Sequence, residues 1–225
     1  KFLRKNKLLE NKSVFVDIGA SYGTFTINFS KHFDHVYSFE PSPISNALLN
    51  LNIELNKIKN AKVEKLGVSN KGEIVFFNIP DNDLDSARII EGENQNSDSI
   101  KIETISLDEY FLHNDHAKSI DVIKIDVEGL EHDVFLGAEK ILKTSHPLLL
   151  FESHGERHIT ENVELLKTYG YKYFYKLTQS RRLSKNFILN LFNFLLRPNY
   201  LSVKQIKDYK ETNYQMVVAS PIIIF

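Results

Sequence analysis

Acids and one histidine stand where short apolar runs of this chain end. Asp17 closes "SVFV" and leads into "DIGASYG", which holds Gly19, Ala20 and Gly23. Glu40 closes "HVYSF", Asp126 and Glu128 follow "DVIKI", and Glu152 and His154 follow "PLLLF". Glycines at 19 and 23 suit a strand-to-helix turn in which the missing Cβ lets backbone approach a ligand closely. Glu40 lies about 20 residues beyond Gly19. An acid there is placed to accept hydrogen bonds from both hydroxyls of an adenosine ribose.

Two cofactor classes share that geometry. Dinucleotide sites use G-x-G-x-x-G with the pyrophosphate at a helix N-terminus. This chain lacks that spacing, and Asp17 would stand beside the pyrophosphate at a cost in like-charge repulsion. S-adenosylmethionine instead brings an α-ammonium, a sulfonium and an adenosine. Asp17, directly or through water, then faces the ammonium, and Glu40 the ribose. The plainer alternative stays open: Asp17 caps a turn that the glycines merely form.

The remaining strand-end groups suit control of an acceptor's proton. Methyl transfer is an in-line displacement in which the protein mainly aligns the partners. An alcohol acceptor benefits from a general base or a metal. His154 is the first candidate for the base, since its ordinary pKa is about 6.5; an exposed loop histidine is its bland alternative. Asp126, Glu128 and Glu152 are expected to converge on the same cleft, and Asp126 is also read, with Ala20, as a cofactor-binding residue. Asp126 and Glu152 are also candidates to hold Mg²⁺ against the acceptor oxygen. The fourth strand ends in "DVEG" rather than Asn or Asp before Pro-Pro-aromatic, which argues against N-methylation of adenine or glutamine. Lys124 has room to project toward a helix or into the site and is read as a snorkelling structural lysine, and Glu131 as a helix-starting acid. "HNDH" at His113–His116 resembles a metal cluster, but its polar loop setting points to solvated side chains.

These residues need a scaffold that brings strand ends together. The sequence alternates strand and helix: "SVFVDIG", a helix carrying Phe25, Phe29 and Phe33 at every fourth position, "HVYSFEP", and a helix capped by Ser42 and Pro43 with Ile44, Leu48, Leu51 and Leu55 at helical spacing. "AKVEKLGVS" reads as a third strand. "KGEIVFFNIP" and "IKIETISLDEYF" read as two added strands around a polar surface loop, "DNDLDSARIIEGENQNSDS". The alternation resumes with "SIDVIKIDVEG", a helix marked by Val134, Ala138, Ile141 and Leu142, then "HPLLLFESH", and a helix closed by Gly170. "YKYFYKL" and "YQMVVAS" form a final hairpin interrupted by an insertion. Such alternation implies an α/β fold with a mainly parallel sheet covered on both faces, and ligands bind beyond the carboxyl ends of its strands.

Composition limits the partners. With 28 basic and 29 acidic residues the net charge is -1, which gives no support to nucleic acid as a partner. The absence of cysteine excludes disulfides and thiolate metal sites and fits a cytoplasmic setting. No uncharged run approaches the ~18 residues of a transmembrane helix. The insertion, with Phe187, Ile188, Leu191, Phe194 and Leu195 between Arg181, Arg182, Lys185 and Arg197, is open to three roles. They are a lid over the acceptor, a homodimer face, and a peripheral membrane contact.

The segments "FVDIGASYGTFT", "VYSFEPSP", "LGVSNKGE", "TISLDEY", "IDVIKIDVEGLEHDVFLGAEKIL" and "PLLLFESH" together resemble the FkbM family of S-adenosylmethionine-dependent methyltransferases. The resemblance implies a Rossmann-like class I methyltransferase fold, a seven-stranded sheet with "YQMVVAS" as its antiparallel last strand, and O-methylation of sugars or similar polyhydroxylated small molecules. By that match Asp17, Gly19 and Gly23 form the glycine motif, Glu40 is the ribose acid, and Val68 and Ser69 lie near the adenine. The family usually has Asn at the position of Ser21. One methyltransferase domain is expected over 1–225, with a core at 12–178 and 212–222 and an insertion at 179–211. A non-catalytic binding or assembly module on the same fold is the alternative.

Overall fold

The computed structural model describes residues 12–78, 88–90, 99–127, 129–154, 156–180, 200–206 and 213–223. Its first unit runs β1 (Lys12–Ile18), α1 (Thr24–Phe29), β2 (Phe33–Phe39), α2 (Pro43–Leu55) and β3 (Ala61–Glu64). Val14, Phe15, Val16 and Ile18 are fully buried, as a strand packed on both faces requires. Next come β4 (Gly67–Val68), β5 (Ile74–Asn78), β6 (Arg88–Ile90), β7 (Ser99–Ile105), α3 (Leu107–Tyr110) and a 3-10 helix at Asp115–Ser119. The chain continues through β8 (Ile120–Ile125), α4 (Glu131–Gly137), α5 (Glu139–Thr144), β9 (Leu148–His154), α6 (Glu156–Thr168), β10 (Tyr173–Ser180), β11 (Tyr200–Gln205) and β12 (Asn213–Ser220).

The main sheet has eight strands in the order β11-β10-β12-β9-β8-β1-β2-β3. β9, β8, β1, β2 and β3 are mutually parallel, while β12 runs antiparallel to both β9 and β10. Seven of these strands are the expected set, and the hairpin of "YKYFYKL" with "YQMVVAS" is present as β10 and β12. The eighth, β11, comes from the insertion and pairs antiparallel with β10 from Tyr175–Gln205 to Ser180–Tyr200. Strand order reverses between β1 and β8, so the crevice above their carboxyl ends is the natural ligand position. Helices cover both faces. Phe25 and Phe29 of α1 pack with Phe15, Phe33, Val36, Val122 and Leu150, and α4, α5 and α6 bury Val134, Phe135, Ile141, Leu142, Ile159, Val163 and Leu166 on the other face.

Several local expectations need correction. Phe33 lies in β2, not in the preceding helix; it joins the same aromatic cluster because Phe29 and Phe33 both pack on Phe15, at 4.8 Å and 5.3 Å, while Phe25 packs on Phe29 at 5.7 Å. The apolar residues of α2 are at helical spacing, yet Ile44, Leu48, Leu51 and Leu55 are all exposed, and the row that seats the helix is Ser45 and Leu49. "AKVEKLGVS" divides in two, since Ala61–Glu64 pairs with β2 while Gly67–Val68 pairs with β7 of a second sheet, ordered β4-β7-β5-β6. The stretch expected as a polar loop contains β6, whose Ile90, Ile89 and Arg88 pair with Phe76, Phe77 and Asn78. The apolar segment 183–198 lies outside the described residues. Among the described residues no helix is long and apolar enough to cross a membrane.

The break between α4 and α5 has a defined cause. Asp108 accepts hydrogen bonds from the N–H groups of Lys140 (2.7 Å) and Ile141 (2.9 Å), which caps a fresh helix start. At the end of α4, Gly137 lies against the backbone of Ser69, where a Cβ would overlap the Ser69 carbonyl oxygen. Asn70 ties the same junction by donating to Asp133 Oδ1 at 3.0 Å. Gly137→Ala is therefore expected to cost about 1–3 kcal/mol by overpacking, lowering Tm by several degrees in thermal denaturation. An unchanged Tm would show that the junction yields freely.

Candidate functional site

Three polar side chains occupy the row of the sheet that faces α1, although such a row would ordinarily be apolar: Asp17 on β1, Ser38 on β2 and Lys124 on β8; Glu40 follows directly after β2. Strand register places Asp17 between Ser38 and Lys124. All four are buried, so each needs a partner.

Asp17 meets that requirement inside the protein. Gly23 is the N-cap of α1, at φ 98, and has no side chain to cap the helix. Asp17 Oδ2 supplies the acceptor from β1, taking hydrogen bonds from the Thr26 N–H at 2.9 Å and the Thr26 hydroxyl at 2.7 Å. With its proton committed to Asp17, the Thr26 hydroxyl accepts from Ser38 Oγ at 2.8 Å. Asp17 Oδ1 accepts no hydrogen bond from a described residue and lies 3.4 Å from Lys124 Nζ. Direct contact between Asp17 and a bound amino-acid tail, one of the sequence expectations, does not suit a side chain with 0% exposure.

Lys124 does not snorkel as expected. Its ammonium is 3.4 Å from both Asp17 Oδ1 and Asp126 Oδ2, donates to the Gly19 carbonyl at 2.6 Å, and lies 5.4 Å from the centre of the Phe25 ring. The available signal was its place within "VIKI", where a charge among buried apolar residues must find counter-charges.

The glycine turn is fixed from both sides. Gly19 and Ala20 donate to the Phe39 carbonyl, each at 3.0 Å, and the Asp126 N–H donates to Ile18 O at 3.1 Å. Gly19, at φ 70, presses against the backbone of Asp126, where a Cβ would overlap the carbonyl oxygen. Ser21 is in the left-handed region at φ 48. Glu40 then joins the turn to α2: its Oε2 accepts from Ser21 N–H at 2.8 Å and its Oε1 from Ser42 N–H at 2.9 Å. A carboxylate offers about four lone-pair sites, so both oxygens retain capacity for ribose hydroxyls. Burial pushes the Glu40 carboxyl above its ordinary value of 4.5; the N–H groups of Ser42 and Ser21 and the charge of Lys124 pull it back, and Asp17 pushes it up.

The other sequence candidates divide. β8 and β9 are adjacent and parallel, with Ile125 opposite Phe151, so Asp126 and Glu152 follow at matching positions. The Asp126 side chain is 35% exposed. His154 ends β9 opposite Asn213; its side chain, and Glu128 as a whole, lie outside the described residues. Ala20 is buried. The side chain of Val68 packs into the core, so it would meet an adenine only through its backbone, whereas Ser69 is half-buried with its N–H on Ile105 O at 3.0 Å. Glu131 starts α4 as expected and accepts from the Gly129 N–H at 3.2 Å. His116 bonds the Tyr37 hydroxyl at 2.7 Å and stacks on His35 at the opposite end of the sheet from the site. Among the described residues no three metal-binding side chains converge, and Asp126 faces the Lys124 ammonium.

Comparison with known proteins bears on the same region. The profile of the family described as the methyltransferase FkbM domain matches residues 17–173. The chain is 22% identical over 146 residues to Methyltransferase 1 of Beauveria bassiana, covering 56% of this chain and 59% of that one. The crystal structure of methyltransferase FkbM from Methylobacillus flagellatus superposes with a TM-score of 0.52 at 17% identity, over 76% of this chain and 41% of that chain. Precorrin-6y C5,15-methyltransferase from Geobacter metallireducens gives a TM-score of 0.51 at 12% identity, over 97% and 85%. At these identities the two structures establish the class I methyltransferase fold. The chain spans less than two thirds of the length of the Beauveria and Methylobacillus proteins.

Two measurements test the turn. Ser21→Asn places a residue tolerant of positive φ at that position and is expected to add on the order of 1 kcal/mol, seen as a higher Tm; a lower Tm would remove strain at Ser21 as a factor. Glu40, with its folded pKa raised, contributes stability that is fully present below pH 4.5 and is lost as pH rises through the folded value. Relative to Glu40→Gln, the wild type should therefore lose Tm as pH rises from 4 to 7. A difference that stays constant with pH would contradict the shift.

Proposed function

Because the chain belongs to the FkbM methyltransferase family, matched from Asp17 to Tyr173, we propose that it is an S-adenosylmethionine-dependent O-methyltransferase acting on a hydroxyl of a sugar, glycan or similar polyhydroxylated small molecule. One observation carries this reading. Glu40 holds the glycine turn and the start of α2 through Ser21 and Ser42 while retaining acceptor capacity at the end of β2. That is the arrangement a ribose diol needs beside a backbone that comes close to its ligand.

The cofactor would supply an activated methyl carbon and the leaving sulfide. The residues of this chain do the rest. Glu40 accepts the ribose hydroxyls. The segment from Val68 to Ser69, held by Ile105 O and abutted by Gly137, borders the adenine. The Gly19 turn and Asp126 border the amino-acid end, where carboxylates favour a cation. The acceptor hydroxyl lies beyond the ends of β8 and β9, and its proton passes to a base there. His154 is the first choice for that base because an imidazole is half-ionised near neutrality. Glu128 and Glu152 complete the polar rim. No step is assigned to a metal.

Calorimetric titration with S-adenosylmethionine is expected to give heat and thermal stabilisation; the absence of both would favour a non-catalytic module. Purified protein with methyl-labelled cofactor should label a member of a sugar acceptor panel. His154→Ala is expected to lower kcat at pH 7 by about 10²–10⁴-fold, and unchanged turnover would remove His154 from the mechanism.

A further inference from the structure

We infer that the outer face of α2 is a self-association surface, and that it packs antiparallel against the same helix of a second copy of this chain. The inference is independent of the methyl-transfer reading.

Ile44, Leu48, Leu51 and Leu55 are spaced as a buried helix face is spaced, yet each is between 42% and 69% exposed. On its inner side α2 buries Ser45 and Leu49 instead. Tyr22, 53% exposed, widens the apolar row, since its carbonyl accepts from Asn52 Nδ2 of α2 at 2.8 Å. Single apolar side chains on a surface need no explanation, but residues three and four apart on one helix are neighbours and form a continuous patch. Gaps of four, three and four residues are those of a coiled-coil seam. They also read the same in both directions. Against an antiparallel copy, Leu48 therefore meets the second copy's Leu51, and Ile44 meets its Leu55.

Charge and area both fit that occupant. A face that meets its own copy meets its own charges, and like charges across an interface repel. The only charged residue of α2 is Glu54; its other polar side chains are Ser45, Asn46, Asn50 and Asn52. A neutral amide both donates and accepts, so it is complementary to itself. Antiparallel packing carries Glu54 away from its counterpart and toward the first turn of the other helix, where the dipole favours an acid. A helix lying on a membrane surface would carry Lys or Arg along its polar face, and α2 has neither. The five side chains present on the order of 500 Å² per copy, so a pair buries about 1,000 Å², the lower bound for a specific interface.

Sedimentation of the full chain tests the pairing. The wild type is expected to be a dimer at about 100 μM, above the micromolar dissociation constants of weak interfaces. Leu48→Glu and Leu51→Lys should each be monomeric while keeping the wild-type circular-dichroism spectrum, because each sets an unpaired charge against leucine across the seam. Mixed in equal amounts, the two variants should regain a dimer, since positions 48 and 51 face one another only in the antiparallel arrangement. A monomeric wild type, dimers that survive both single substitutions, or a mixture that stays monomeric would each overturn the inference. Wild-type protein that is monomeric in solution but co-sediments with vesicles of phosphatidylcholine and phosphatidylglycerol would also overturn it, and would give the face to a lipid surface.

Discussion

A lysine ammonium can be buried only where counter-charge and acceptors surround it, because its desolvation cost is otherwise too high. Lys124 has that environment, between Asp17 and Asp126 and against the Gly19 carbonyl. The arrangement depends on β1 and β8 being parallel neighbours, with Asp17 opposite Lys124 in register. A shift by one residue would turn Lys124 toward the opposite face and leave Asp17 as an uncompensated buried charge. The ion cluster thus ties the strand pairing at the point of order reversal to the shape of the ligand turn.

From that cluster the constraint spreads through hydrogen bonds. Asp17 caps α1 through Thr26, and Thr26 bonds Ser38 on β2. Glu40 takes up the chain at the next strand end by holding Ser21 and Ser42. Glycines make the close approaches feasible: Gly19 lies against the Asp126 backbone, and Gly23 against Leu49 of α2. The turn is therefore held by β1, β2 and β8 together with the starts of two helices, which suits a site whose backbone must present fixed donors to a ligand. The same rigidity explains how a glycine far along the chain takes part, since Gly137 sets how closely α4 can approach Ser69.

The parts of the fold legible in the sequence were those with a short-range physical cause. Alternating apolar runs and helical spacings located the strands of the parallel sheet, and Ser42 and Pro43 cap α2 as their types demand. Elements whose existence depends on a distant partner were not legible. β11 forms because β10 offers it an edge, and β6 because β5 does. The apolar residues of α2 illustrate a further limit. Spacing identifies a helix but not which side meets the sheet, and here Leu49 is the inward residue.

For the site, the amino-acid sequence by itself determined which residues stand at strand ends, that a glycine turn follows the first strand, and that an acid closes the second. Residue type and spacing are local properties, so they could be read directly. Only the tertiary structure decided that Asp17 faces inward to Thr26 and Lys124 while Asp126 stays open to the cleft. That division arises from strand order and from which side α1 covers, and both are set by packing between segments some hundred residues apart.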